Sequence, residues 1–224
     1  MDMDGTLTKF NLDYMRARRQ ALKELERMKL RTPEMTELIS IYLVLKKLKP
    51  SLDAKSFIEL QKKFYTILEE MEIKAARDVT LYPGALDTLR KLRAQGLKIG
   101  IVTNNGRKGT ELTLKRHQLE SFFSAIVTRD DCAEMKPDAG PVLKVLQEMH
   151  VSSEGAILVG DGVQDILAAR AAGIPSVAVA TGPFTSQRLL ETEPDYLLGS
   201  INDLPMLIET LATGASLNSS KTLP

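Results

Sequence analysis

Between residues 98 and 181, short β-branched runs alternate with amphipathic stretches, and that alternation constrains the fold more than any other feature of the chain. The runs occupy 98–103, 124–128, 155–160 and 176–181. Continuous apolar runs separated by helical periods predict parallel strands buried on both faces. A helix is expected over 84–95, opened by Pro83-Gly84 and closed by Gly96 just past its C-cap. Two further crossover helices are expected over 142–149 and 165–172. The predicted core is an α/β fold with a doubly wound, Rossmann-like parallel sheet.

From about Phe10 to Thr80 no such run interrupts a succession of helical periods, which predicts an inserted all-helical unit. Leu12, Met15, Leu22, Leu25 and Met28 fall roughly on one face of its first helix. Thr32-Pro33 offers an N-cap and a proline at N1 for a second helix. Phe57, Leu60, Phe64, Ile67, Leu68 and Met71 form the stripe of another. The 15 Lys and Arg against 11 Asp and Glu over 10–79 read chiefly as solvated helix faces. The expected division is 1–10 and 81–212 for the core, 11–80 for the helical insertion, and 213–224 for a flexible polar tail.

Across all 224 residues, 30 Lys and Arg against 29 Asp and Glu leave a net charge of +1, so no global field draws in nucleic acid or an anionic membrane. No apolar run approaches the length of a membrane span, and Met1-Asp2-Met3-Asp4 lacks the basic start of a signal peptide. A cytoplasmic protein is expected. The single cysteine, Cys132, excludes an internal disulfide, and two histidines exclude a histidine-rich metal site. A metal would need carboxylate ligands, which favours a hard ion such as magnesium.

Four features carry chemistry. Asp2 and Asp4 are two apart, so on an extended backbone both carboxylates face one side, and Gly5-Thr6 permits a sharp turn. Such a pair suits a nucleophile and an acid/base partner, although aspartates before a glycine also occupy ordinary turns. Asp161 and Asp165 follow an apolar run, and their spacing brings two carboxylates near one locus; an N-cap aspartate with an unrelated partner is the plain alternative. Thr103-Asn104-Asn105-Gly106 ends another run, either as a phosphate cradle or as a helix N-cap region. Lys136 precedes Pro137, which is expected to start a helix, and a lone lysine there is ordinarily a surface residue. His117, His150 and Cys132 lie outside these features and receive no role.

All four features fall beyond the carboxyl ends of the predicted strands, where ligands of open parallel sheets sit. Their order and spacing resemble the haloacid dehalogenase superfamily of aspartate-dependent phosphohydrolases. The matching motifs are Asp2-Met3-Asp4-Gly5-Thr6-Leu7-Thr8, Thr103-Asn104, Lys136-Pro137-Asp138 and Gly160-Asp161-Gly162-Val163-Gln164-Asp165. The stretch from Asp165 to Ile174-Pro175, and Asp195-Tyr196, are similar to its phosphoglycolate-phosphatase-like branch, in which a helical cap lies between the first two motifs.

The resemblance implies a phosphatase acting on a small phosphorylated metabolite, with a phosphomutase as the alternative. It implies Asp2 as nucleophile and Asp4 as acid and base. It implies magnesium held by Asp2, Asp161 and the Asp4 carbonyl, with Asp165 behind them. Lys136, Thr103 and Asn104 would hold the phosphoryl oxygens. Aspartate at position 4 favours phosphoryl transfer over carbon–halogen cleavage, which has no leaving alcohol to protonate. In the family the first motif ends a strand of four or more apolar residues, whereas here only Met1 precedes Asp2. An upstream apolar stretch is therefore expected; without it, a catalytically impaired binding protein is the further alternative.

Overall fold

The computed structural model describes residues 1–9 and 11–213; of the tail expected over 213–224, Thr213 ends a helix, and Phe10 and 214–224 lie outside the described residues. Strand β1 (Gly100–Val102) pairs with β2 (Ala125–Val127), while β3 (Leu158–Gly160), β4 (Ser176–Val179) and β5 (Tyr196–Leu198) pair in that order, all parallel. The start of the chain lies between the two sets. The Asp2 amide donates to the Val159 carbonyl at 2.8 Å, and the Met1 carbonyl accepts from the Val102 amide at 3.0 Å. Asp2 thus emerges at the centre of the sheet, between β1 and β3.

Alternation along each strand sends neighbours to opposite faces. Ile101, Val159 and Val177 pack with Leu89, Leu114 and Leu204 on one side. Val102 and Leu158 pack with Val145, Leu146, Ala168 and Ala169 on the other. The covering helices are α4 (Ala85–Ala94), α5 (Arg107–Arg116), α6 (Gly140–Met149), α7 (Val163–Ala171), α8 (Ser186–Leu190) and α9 (Leu204–Thr213), numbered after the three helices of the insertion. Gly96 takes φ 77° just beyond α4, the left-handed stop expected there. Pro137 starts no helix: α6 begins at Gly140 and carries Pro141 in its first turn. Strand β5 goes unpredicted because its run of three residues is short; Asp195 anchors it by accepting from the Ser176 amide at 2.8 Å and hydroxyl at 2.9 Å.

The insertion holds α1 (Tyr14–Arg27), α2 (Ile41–Leu48) and α3 (Ala54–Ala76), which share an apolar cluster built from Ala17, Ala21, Leu22, Leu25, Val44, Leu45, Leu60 and Phe64. The expected stripe of α3 is the one buried, while that of α1 holds at Leu22 and Leu25 and fails at its methionines. Met15 and Met28 are exposed, while Ala17 and Ala21 face inward among the side chains of the other two helices. Thr32-Pro33 opens a turn and no helix, its hydroxyl donating to Glu34 at 2.6 Å, and Ser40 caps α2 instead by accepting from the Leu43 amide. The two connections to the core run side by side: the Lys9 amide donates to Thr80 at 2.8 Å, and the Tyr82 amide to Leu7 at 2.9 Å. Among the described residues no helix is long and apolar enough to cross a membrane.

Candidate active site

The four motifs converge at the carboxyl ends of the strands. Lys136, 3% exposed, donates from Nζ to Asp2 Oδ1 at 2.6 Å and to Asp165 Oδ1 at 2.5 Å. The other Asp165 oxygen accepts from the Gly162 amide at 3.0 Å, so this carboxylate caps the start of α7 and steadies the lysine together. Asp161 is buried beside them and accepts from the Thr6 hydroxyl at 3.2 Å. Gly5 and Gly182 enclose it, since a Cβ on either would overlap its carboxylate. One oxygen each of Asp2, Asp161 and Asp165 lie within 4.8 Å of one another.

Three buried carboxylates around one ammonium leave uncompensated negative charge. Burial pushes the carboxyl groups of Asp161 and Asp165 well above the ordinary range; the negative neighbours of Asp161 add to its shift, while Lys136 opposes that of Asp165. Burial acts against the Lys136 ammonium, yet Asp165 and Asp2 prevail and raise its pKa. An oxygen-only, anionic donor set enclosed by glycines fits a hard divalent cation, as the sequence implied.

Asp4 is set apart from that cluster. Its Oδ1 accepts from the Thr8 hydroxyl at 2.7 Å, and its Oδ2 accepts from the Asn105 side-chain amide. Burial lifts its carboxyl to about 6, opposed by the bond from Thr8, aided by the charge of Asp2 and opposed again by Asn105. The two acids of the first motif therefore differ: Asp2 is paired with a cation, whereas Asp4 is held by neutral donors. Thr103 is buried and its hydroxyl accepts from the Asn105 amide at 3.2 Å. Asn104 clamps Lys136 through the backbone, donating to its carbonyl at 2.8 Å and accepting from its amide at 3.0 Å. A cavity of about 10 Å³, room for one water, adjoins Asp4 and is lined by Asn11, Leu12, Glu72, Ala76, Asn105 and Gly109.

The family model for haloacid dehalogenase-like hydrolases matches residues 1–179. The chain belongs to this family. Among curated relatives, pyrophosphatase PpaX of Bacillus anthracis (strain A0248) is 35% identical over 131 residues, 58% of this chain and 60% of that protein. Pyrophosphatase PpaX of Bacillus pumilus (strain SAFR-032) is 38% identical over 130 residues, with the same shares. The chain thus spans about three fifths of the length of these relatives. A hydrolase from Pseudomonas syringae superposes with TM-score 0.67 at 25% identity, over 93% of this chain and 96% of that one. A protein described as a predicted phosphoglycolate phosphatase from Haemophilus somnus 129pt shares the fold with TM-score 0.64 at 23% identity, over 92% and 95%.

The site of this haloacid dehalogenase-like chain also uses residues to which sequence reasoning gave no individual role. Thr8, at the end of the first motif, and Asn105, in the predicted cradle, both hold Asp4. Tyr14 reaches in from α1, its hydroxyl donating to Asn105 Oδ1 at 2.8 Å. Glu72 of α3 accepts from the Gly106 amide at 2.9 Å and pairs with Arg129, which follows β2. A signal for Glu72 was present, since it stands four residues from both Leu68 and Ala76 on the buried side of α3. Arg129 likewise closes an apolar run at the edge where the motifs gather. His117 Nε2 lies 2.9 Å from the Val79 carbonyl, and the burial of Cys132 raises its thiol pKa, with no site residue at either.

Proposed function

We propose that the chain is a magnesium-dependent phosphatase acting on a small phosphorylated metabolite, a phosphomonoester of the 2-phosphoglycolate kind. The observation that carries this reading is the contrast between the two acids of the first motif: Asp2 is paired with the Lys136 ammonium, whereas Asp4 is held by neutral donors and raised to about 6. A nucleophile must be ionised and an acid must carry a proton.

In the proposed reaction an Asp2 oxygen bonds to phosphorus as the bond from phosphorus to the leaving oxygen breaks, and Asp4 gives that oxygen its proton. Water then bonds to the same phosphorus and passes a proton to Asp4, while the bond from phosphorus to Asp2 breaks and phosphate is released. Asp4 ends protonated, as it began. The Lys136 ammonium, the Thr103 hydroxyl and the Asn104 backbone N–H orient the phosphoryl oxygens and meet their charge. Asp2, Asp161 and the Asp4 carbonyl would hold magnesium with Asp165 behind them, where it supplies positive charge against carboxylate–phosphate repulsion.

The helical insertion acts as the cap. Substrate enters when the insertion swings on the paired connections at Lys9–Thr80 and Leu7–Tyr82, and its return excludes bulk water. A second reading, hydrolysis of inorganic pyrophosphate, is favoured by the name carried by the Bacillus relatives.

Hydrolysis of p-nitrophenyl phosphate with and without magnesium tests the chemistry, and kcat/KM for 2-phosphoglycolate against pyrophosphate tests the substrate. Magnesium-dependent release with a preference for 2-phosphoglycolate is expected. A preference for pyrophosphate selects the second reading, and no release from any of the three overturns both.

A further inference from the structure

We propose that Tyr14 is a positioning residue for the acid Asp4, acting through Asn105, so that the first turn of the insertion sets the geometry of proton transfer in the core. The inference rests on the phosphatase reading above. Tyr14 opens α1, and its place is defined by Asp13, whose side chain caps the helix by accepting from the Arg16 amide at 3.0 Å. From there the phenol hydroxyl donates to Asn105 Oδ1 at 2.8 Å. The Asn105 amide nitrogen donates in turn to Asp4 Oδ2, and Thr8 holds Asp4 Oδ1 at 2.7 Å.

The orientation of the Asn105 amide follows from this chain of contacts. While Asp4 is ionised, turning it over would set its oxygen against the Asp4 carboxylate and lose the donor to it. Asn105 is 4% exposed, its amide N–H reaches the Thr103 hydroxyl at 3.2 Å, and its carbonyl accepts from the Arg129 amide at 2.9 Å. Its backbone is therefore anchored in the core while its side chain takes direction from the insertion. With both oxygens engaged, the plane of the Asp4 carboxyl is fixed; with Tyr14 withdrawn, one of the two restraints loosens. Proton transfer depends steeply on alignment, so the acid is best aimed when the insertion is docked.

The test is Tyr14→Phe, which removes one hydroxyl and keeps the ring. The readout is kcat/KM across phosphate monoesters whose leaving groups run from p-nitrophenol to simple alcohols, since kcat/KM reports the step in which the leaving group departs. A misaimed acid matters most where the leaving oxygen needs a proton. Alkyl phosphates are expected to lose about ten- to a hundredfold, aryl phosphates much less, and the plot against leaving-group pKa should steepen. Asn105→Ala should shift the same plot in the same direction, and adding Tyr14→Phe to it should change nothing more. Equal losses for aryl and alkyl substrates, or additive losses in the double variant, would overturn the inference while leaving the phosphatase reading intact. A wild-type protein that hydrolyses no monoester would overturn both.

Discussion

Glu72 of α3 and Arg129 beyond β2 form a two-pronged ion pair, at 2.5 and 2.9 Å, with both side chains 1% exposed. The same guanidinium donates to the Asn104 carbonyl at 3.1 Å and lies 4.9 Å from the centre of the Tyr65 ring, while Glu72 also takes the Gly106 amide. The insertion is thereby joined to the backbone of the loop that carries Thr103 and Asn104. A buried pair of this kind adds little net stability over apolar replacements, but breaking it strands a charge away from water.

Arg129→Met is accordingly expected to cost about 3–5 kcal/mol by leaving the Glu72 carboxylate buried without its cation. Glu72→Leu combined with Arg129→Met should cost less than Arg129→Met alone, because neither charge remains. Urea unfolding of the two variants against wild type measures this. A loss below about 1 kcal/mol for the single variant would mean that Glu72 reaches solvent when its partner is removed.

Asp2→Asn keeps the side-chain shape and removes the carboxylate proposed as nucleophile. Turnover of p-nitrophenyl phosphate should fall on the order of a thousandfold or more, with an unchanged circular dichroism spectrum. Lys136 retains Asp165 as a partner, which is why the fold should hold. Activity within a few-fold of wild type would remove Asp2 from the role of nucleophile.

The acid cluster predicts a pH dependence of stability. Burial raises Asp161 to about 9, whereas an unfolded aspartate titrates near 3.9, so between those values the folded chain binds the extra proton. The contribution of Asp161 to metal-free stability is therefore fully present below about pH 4 and is lost as pH rises through about 9. Magnesium competes with that proton, so saturating magnesium should raise the melting temperature more at pH 8 than at pH 5. Equal shifts at the two values would argue that the cluster is already ionised without metal.

How much of this could be read from the sequence follows from where each residue sits. Asp2, Thr103, Asp161 and Lys136 were legible because short strands with helical crossovers bring their carboxyl ends to one edge, whatever the packing details. Lys136 needed more than local pattern, since alone it reads as a surface lysine, and only its contacts with Asp2 and Asp165 explain its burial. The α1 face was misjudged because hydrophobicity ranks Met15 above Ala17, whereas the face turned toward the other helices carries the small residue. The helical period marks Glu72 as facing the buried side, but what Tyr14, Glu72 and Arg129 do was out of reach for a different reason. Their roles arise where the insertion docks on the core, a relation across 91 residues for Tyr14 and 57 for Glu72 that no local period encodes.

The close approach of Gly182 to Asp161 gives a last test, one in which no charged group is altered. A Cβ at position 182 would overlap the Asp161 carboxylate and come within 2.8 Å of the Asp161 Cβ, and position 182 is not among the glycines with positive φ, so the cost of alanine there is this collision and not its φ. The Asp161 side chain is short and held by Thr6, so its carboxylate yields by turning out of the cluster with Asp2 and Asp165 while the chain at 182 shifts slightly from its Cβ. Gly182→Ala should therefore weaken magnesium binding about ten- to a hundredfold, the range seen when a metal ligand loses its support. Stability without metal should change far less than affinity, since moving a buried carboxylate toward water relieves its desolvation. Gly155→Ala is the matched control, because a Cβ at position 155 meets no atom within 4 Å. Calorimetric titration of magnesium into the two variants decides it: equal affinities would mean that Asp161 is not held in place by the Gly182 backbone, and the glycine enclosure would lose its part in the metal site.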